Sequence, residues 1–312
     1  MARAIGDHDA NLTQTLEEGV TTGLFEPIPA SGIFRPCEQQ QKTSELEICD
    51  GNGRSAEDTP DESLELVMSE VSKGFVKEWP HTLEEAKQRW HHVAVGKLGI
   101  RRVPGKESRL VLDSTAPGLN PGVNIKEKAF NPGLGDLKEL WRSSPHEDWT
   151  GFTLDVKAAH KRIKVREPEH GLLMFRVGEK LFHYTVCHFG GRCSAYWWAR
   201  TGALVHRLLH HAIFIKHGGF LFVDDSLWCF PRGRHPSWLL SYLSSSRRWD
   251  ARSAGTSSAS ETTLYGSAGD LTSGWAPFRR PRIRRSPYAH SLMTWGKAAP
   301  PKRGTRLKQA SD

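Results

Sequence analysis

Residues 219–230 read GFLFVDDSLWCF, and this stretch decides the fold of the chain. Two apolar runs flank the acidic pair Asp224 and Asp225. Short apolar runs that are rich in aromatic residues are typical of strands, and Asp tolerates the geometry of a tight turn between them. Taken alone, the stretch is most simply interpreted as a β-hairpin whose acidic turn has only a structural role.

A third carboxylate favours a functional interpretation. Asp155 lies in the run FTLDVKAAH at residues 152–160, which also predicts a strand. A carboxylate on one strand that faces an acidic pair on another forms a site for two divalent cations, which sit about 3.5–4 Å apart in such sites. Mg²⁺ prefers oxygen ligands and is held by one or two carboxylates plus substrate phosphates. The sequence therefore predicts a Mg²⁺ or Mn²⁺ site at Asp155, Asp224 and Asp225.

A glycine turn and a helix lie between the two acidic segments. Residues 184–200 read YTVCHFGGRCSAYWWAR, which predicts a strand, a Phe-Gly-Gly turn at residues 189–191, and a helix that continues to about His211. Glycines in front of a helix allow a ligand to approach the backbone closely.

The order of strand with Asp, glycine turn with helix, and strand with Asp-Asp resembles the palm of a reverse transcriptase. The resemblance assigns Asp155 to the first palm motif, Phe189 and Gly190 to the second, and Asp224 and Asp225 to the third. It implies an α+β fold of the right-hand polymerase kind, with an antiparallel palm sheet, packed helices and partial fingers. It also implies that the three aspartates are catalytic and that Phe189 and Gly190 bind the nucleotide.

Two segments extend the resemblance and two residues depart from it. Residues 108–114, SRLVLDS, and the Leu119-Asn120 pair that follows resemble the fingers segment of that family, in which an Arg contacts the incoming triphosphate and a Leu-Asn pair comes after it. This resemblance assigns the triphosphate contact to Arg109. Arg101, Arg102 and Lys106 are open alternatives for a second phosphate contact. His160 occupies the nucleotide-binding position where the family usually has Tyr or Phe. The family's usual Pro after the second-motif Ser is Ala195 here.

The function implied is RNA-directed DNA polymerisation, with an RNA or DNA template-primer and deoxynucleoside triphosphates as partners. Nothing after Leu243 resembles a thumb, so an alternative is a catalytically dead palm that binds nucleic acid non-specifically. A metal-dependent nuclease or cyclase is a further alternative, although neither requires Arg109 or the Phe-Gly-Gly turn. A retrotransposon origin is implied by the resemblance, and the oligomeric state is open.

Charge is distributed unevenly along the 312 residues. Residues 1–70 carry 4 basic and 15 acidic residues, whereas the remainder carries 39 and 20. A basic body suits a polyanionic partner, although a generic basic surface has the same composition. The five cysteines form no CxxC pair, which is typical of a reduced intracellular protein, nuclear or cytoplasmic. No apolar run reaches the length of a membrane span.

Composition divides the chain into four ranges. We expect an acidic disordered leader at 1–65, a fingers-like region at 66–150, a palm-like region at 151–245 and a basic, poorly ordered tail at 246–312. The tail carries 13 basic and 4 acidic residues, and its cluster RRPRIRR at 279–285 could bind phosphates, act as a nuclear address or have no selected role. The change in composition near residue 246 could also mark a truncated or frame-shifted gene.

Two histidines at helical spacing form a weaker candidate site. His206 and His210 are four residues apart and could bind zinc, but no HExxH motif accompanies them. Solvated histidines on a basic helix are the simpler interpretation.

Overall fold

The computed structural model describes residues 1–37, 45–232 and 234, together with the backbone of 251–252. It is an α+β protein with three sheets, which confirms the predicted class. Its α-helices are α1 Leu12–Glu18, α2 Arg54–Glu57, α3 Pro60–Ser72, α4 Leu83–Arg89, α5 Leu119–Gly122, α6 Leu134–Arg142 and α7 Arg192–Ala212. Its strands are β1 Arg35–Pro36, β2 Val76–Trp79, β3 Val95–Arg101, β4 Arg109–Asp113, β5 Glu127–Lys128, β6 Trp149–Val156, β7 Met174–Val177, β8 Lys180–Tyr184, β9 Gly218–Phe222, β10 Asp225–Pro231 and β11 Ala251–Arg252.

The sheet that carries the three aspartates has four strands in the order β11-β6-β10-β9, all antiparallel. The register of β6 and β10 runs from Asp155 opposite Asp225 to Trp149 opposite Pro231. Helix α7 packs closely on this sheet, since a Cβ added at Gly202 would overlap the Leu221 side chain. The predicted strands and the predicted helix after the glycine turn are thereby confirmed.

A second sheet of five strands has the order β2-β8-β7-β3-β4. Strands β7 and β8 form an antiparallel hairpin, and β3 pairs with β7 in parallel. Edge strand β4 also meets the glycine turn, because the Leu112 amide donates a hydrogen bond of 3.1 Å to the Phe189 carbonyl. The five-stranded sheet therefore continues directly into the candidate site.

The predicted disorder of residues 1–65 is wrong for the part that the structure describes. Residues 1–37 contain α1 and β1, and α3 already begins at Pro60. Two buried ion pairs fix the first residues to α7: Asp7 with Arg207 and Asp9 with Arg200. Composition missed this order because the basic partners lie far along the chain.

The sequence predicts that residues 66–98 are helical, with a second helix that begins at a capping box of Thr82 and Glu85, and this prediction is only partly correct. Helix α3 ends at Ser72, and α4 begins with the predicted capping box of Thr82 and Glu85. Residues 95–101 form β3 instead of a helix, since Leu98 and Ile100 alternate inward with the period of a strand.

Several predictions fall on residues outside the described ranges. The structure does not describe the region where a thumb would follow. Of the predicted tail at 246–312, it describes only the backbone of 251–252. The division into four ranges remains a prediction. Within the described ranges, no helix combines the length and apolar character needed to cross a bilayer.

Candidate functional site

The register of β6 and β10 brings two of the predicted catalytic carboxylates together. Asp155 is the direct cross-strand partner of Asp225. Residues directly opposite each other on an antiparallel pair project from the same face, with Cβ atoms about 4.5–5.5 Å apart. Asp224 lies at the same end of the sheet, because its carbonyl accepts a 3.1 Å hydrogen bond from the amide of Val156.

The three carboxylates repel one another electrostatically. Burial, followed by the charges of Asp224 and Asp225, raises the pKa of Asp155. Burial and the charge of Asp224 likewise raise the pKa of Asp225. Each carboxylate therefore stands in a field of negative charge, which is the environment that a divalent cation would relieve.

The turn between β9 and β10 has two residues, Val223 and Asp224, so the predicted β-hairpin is confirmed. Val223 has a φ of 57°, an unusual value for a β-branched residue. The Trp198 indole nitrogen donates a 2.5 Å hydrogen bond to the Val223 carbonyl and holds the turn against α7. Ala158, three residues after Asp155, has a φ of 55°. Backbone outliers of this kind gather at functional sites, where surrounding contacts maintain them.

Two basic residues, one at the start of β4 and one just before it, act on the carboxylates. Arg109, exposed at the start of β4, and Lys106 each lower the pKa of Asp155 against the larger raising effects. Lys106 also lowers that of Asp225. Arg102 instead forms an ion pair of 2.5 Å with Glu62. Of the three alternatives for a second phosphate contact, Lys106 is the one whose charge lowers the pKa values of Asp155 and Asp225.

His160 and Phe189, both predicted to bind the nucleotide, are in contact. Their ring centroids lie 5.2 Å apart in an edge-to-face arrangement, and Trp198 lies 6.5 Å from His160. His160 is buried, and this burial lowers its pKa against the opposing charge of Asp224. The structure therefore brings a largely neutral imidazole beside the acidic turn.

Gly190 has a structural reason for being glycine. Its φ is 104°, and a Cβ there would overlap the Leu112 carbonyl oxygen. Asn120 fixes the same turn, because its side chain donates to the Gly190 carbonyl at 2.7 Å and accepts from the Arg192 amide at 2.8 Å. The predicted Leu-Asn segment thus positions the glycine turn.

Sequence reasoning missed Lys161 as a residue of the site. Its side chain is 9% exposed and forms an ion pair of 2.5 Å with Glu70 of α3. Its ammonium group lies about 6 Å from the ring centroids of Phe75, Tyr184 and Phe189. A lysine in a basic loop carries no sequence signal for burial, since Glu70 is distant along the chain.

His206 and His210 are engaged in hydrogen bonds rather than arranged around a common centre. The Nε2 atom of His206 lies 2.9 Å from the Ser226 hydroxyl, and the Nδ1 atom of His210 lies 2.7 Å from His217 Nε2. The His206 ring stacks on the buried Trp228 and the His210 ring packs against it at a tilt, so the expectation of solvated histidines is also wrong.

No metal-binding cluster is preformed in the described residues. Within 1–37 and 45–232, no three side chains of His, Cys, Asp or Glu are arranged to hold a metal ion. Asp155 and Asp225 form a facing pair, and Asp224 contributes its charge from the turn.

Comparisons with known proteins find a distant likeness only among solved structures. No family model matches the sequence, and no curated protein matches it. The foamy viral protease–reverse transcriptase in complex with double-stranded DNA is 15% identical, with a TM-score of 0.40 over 64% of this chain and 30% of that chain. The native prototype foamy virus protease–reverse transcriptase is 14% identical, with a TM-score of 0.42 over 68% and 24%. The chain thus spans less than a third of the length of either protein.

Proposed function

We propose that the chain is a reverse transcriptase-like protein that performs template-directed nucleotidyl transfer with two divalent metal ions. The register that sets Asp155 opposite Asp225, with Asp224 in the adjoining turn, carries this proposal. A purely structural hairpin turn would not require a facing carboxylate on the neighbouring strand, because like charges directly opposite each other are unfavourable.

The residues present fit a hard divalent cation. All donors are carboxylate oxygens, and burial together with the charge of Asp224 raises the pKa values of both Asp155 and Asp225. Two carboxylates with substrate phosphates satisfy Mg²⁺, so the facing pair is sufficient for a first ion. When bound, such ions neutralise phosphate charge and favour deprotonation of the attacking hydroxyl.

The remaining residues would bind and orient the nucleotide. Arg109 and Lys106, whose charges reach the acidic site, would contact the triphosphate, with the Arg109 guanidinium suited to bidentate binding. His160 and Phe189 would form a rigid wall beside the sugar and base, since their rings already pack together. The Gly190 turn, held by Asn120, would support the template side.

A catalytically inactive protein that binds nucleic acid is the second candidate. The observation that favours it is the lack, within the described ranges, of three side chains grouped to hold a metal ion. Such a protein would retain salt-sensitive binding without polymerisation.

Primer extension on an RNA template tests the first proposal. We expect Mg²⁺- or Mn²⁺-dependent extension that falls to background in the double variant Asp224→Asn, Asp225→Asn. Asp148→Asn is the matched control, because Asp148 is an exposed acid that pairs with Arg232. Equal extension by the double variant and the wild type would reject the assigned carboxylates. Template-RNA binding without any extension by the wild type would select the second candidate.

A further inference from the structure

We propose that the outer face of the β1–β5 ribbon binds single-stranded nucleic acid, with Phe130 stacking on a base and Lys126 and Lys128 contacting phosphates. This surface needs neither the carboxylates nor a metal ion. The inference therefore goes beyond the proposed chemistry and does not depend on it.

The backbone of the ribbon aligns the basic residues. Arg35 and Lys128 are direct cross-strand partners, so their side chains leave the same face. The ribbon continues by one residue, because the Cys37 amide donates a 2.9 Å hydrogen bond to the Lys126 carbonyl. Lys126, Lys128 and Phe130 alternate with buried or half-buried neighbours and are all exposed, as expected for every second residue of an extended segment.

Phe130 lies among these cations and remains open to solvent. The Arg35 guanidinium lies 5.4 Å from the centroid of its ring, and the Lys128 ammonium lies 5.8 Å from it. The side chain is nevertheless 55% exposed. An aromatic face flanked by cations is the combination that binds a base and its adjoining phosphates in single-stranded nucleic acid.

The one acidic residue of β5 does not neutralise this face. Glu127 is 4% exposed and points inward, where it accepts hydrogen bonds from Ser31, Gly32 and Tyr196. Because Glu127 is bonded inward, it does not offset the positive charges of Lys126 and Lys128 on the outer face of the ribbon. The bond to Tyr196 also ties the ribbon to α7, so a bound strand would lie on a rigid support.

The exposed ring favours a single strand over a duplex. Stacking requires an open base face, whereas the faces of bases inside a duplex already stack on one another. Phosphate contacts alone would serve a duplex equally well. The experiment must therefore distinguish binding of a single strand from binding of a duplex.

Fluorescence anisotropy with a labelled oligothymidylate, in EDTA, tests the proposal on the full chain. Phe130→Leu keeps an apolar side chain and removes the aromatic face, and we expect it to weaken binding by about 5- to 100-fold. Phe130→Trp should restore binding. Lys128→Ala should lower the slope of log affinity against log salt by about 0.7. Phe25→Leu and Lys180→Ala are matched controls, since Phe25 packs on His92 and Lys180 pairs with Glu78.

An abasic strand of equal length and a duplex complete the test. Phe130→Leu should leave both affinities unchanged, because neither ligand offers an unstacked base. The proposal is overturned if Phe130→Leu and Lys128→Ala match their controls on oligothymidylate, or if Phe130→Leu weakens abasic and normal strands equally. Because EDTA removes divalent ions, failure of this surface and failure of the catalytic proposal are distinguishable.

Discussion

At the scale of single residues, the most informative feature is the opposition of Asp155 and Asp225. Two carboxylates face each other across a strand pair, and burial adds to their mutual repulsion. The arrangement is unfavourable for folding, because like charges directly opposite each other destabilise a strand pair, and the proposed metal site would relieve it. Sequence predicted the residues, because an Asp after an apolar run and an Asp-Asp pair are local signals. It could not predict the register that makes them partners.

Replacing Asp155 by Asn should therefore stabilise the protein without metal. A raised pKa means that the folded state disfavours the ionised carboxylate, so removing the charge should raise the free energy of unfolding at neutral pH by up to about 1 kcal/mol. The difference in the free energy of unfolding between the variant and the wild type should shrink as the pH falls through the raised pKa of Asp155, because the wild-type carboxyl then becomes neutral. Thermal unfolding in EDTA at several pH values measures this.

Added Mg²⁺ should reverse the order of stability. A cation that binds only the folded wild type raises its melting temperature, whereas Asp155→Asn should respond much less. A variant that is less stable than wild type in EDTA at neutral pH would contradict the repulsion described above.

At the scale of elements, the approach of β4 to the glycine turn joins the two sheets. The Leu112 amide bonds to the Phe189 carbonyl, and the Leu112 carbonyl leaves no room for a side chain at Gly190. The sequence indicated the turn and the helix behind it, because Phe-Gly-Gly before a helical pattern is a local signal. The resemblance assigned Gly190 to nucleotide binding. The packing of Gly190 against β4 could not be predicted, because β4 is distant along the chain.

Gly190→Ala should destabilise the protein. A left-handed backbone and a close contact with a carbonyl oxygen should together lower the free energy of unfolding by about 1–3 kcal/mol. Gly135→Ala is the control, because Gly135 lies in α6 with open space where a Cβ would project, and alanine there should be neutral or stabilise by up to about 1 kcal/mol. Urea denaturation measures the free energy of unfolding of the two variants. An equal change at the two positions would refute the packing role of Gly190.

At the scale of the whole molecule, the N-terminal segment holds α7 in position. The Arg200 guanidinium donates two hydrogen bonds of 2.6 Å to Asp9 and one of 2.8 Å to the Pro29 carbonyl. The Arg207 guanidinium likewise donates two hydrogen bonds to the Asp7 carboxylate, and these bonds lower the pKa of Asp7. Composition predicted disorder here, because an acidic segment with few apolar residues has no local means of ordering itself.

Asp9→Asn should cost about 3–5 kcal/mol of stability, because it leaves the buried Arg200 without its counter-charge. Urea denaturation gives the free energy, and proteolysis of residues 1–37 reports their release. Glu84→Gln is the control, since Glu84 forms a solvent-exposed pair with Lys87 that should contribute less than about 0.5 kcal/mol. A loss below about 1 kcal/mol in Asp9→Asn would mean that α7 does not depend on the segment.

The span of these ion pairs bears on how the chain acquires its shape during synthesis. Asp9 and Arg200 are 191 positions apart, and Asp7 and Arg207 are 200 apart. At a translation rate of about 5–20 residues per second, the acidic side chains leave the ribosome roughly 10–40 seconds before their partners. Throughout that interval Asp7 and Asp9 lack their basic partners, so a chaperone that captures the nascent segment would delay completion of the native state.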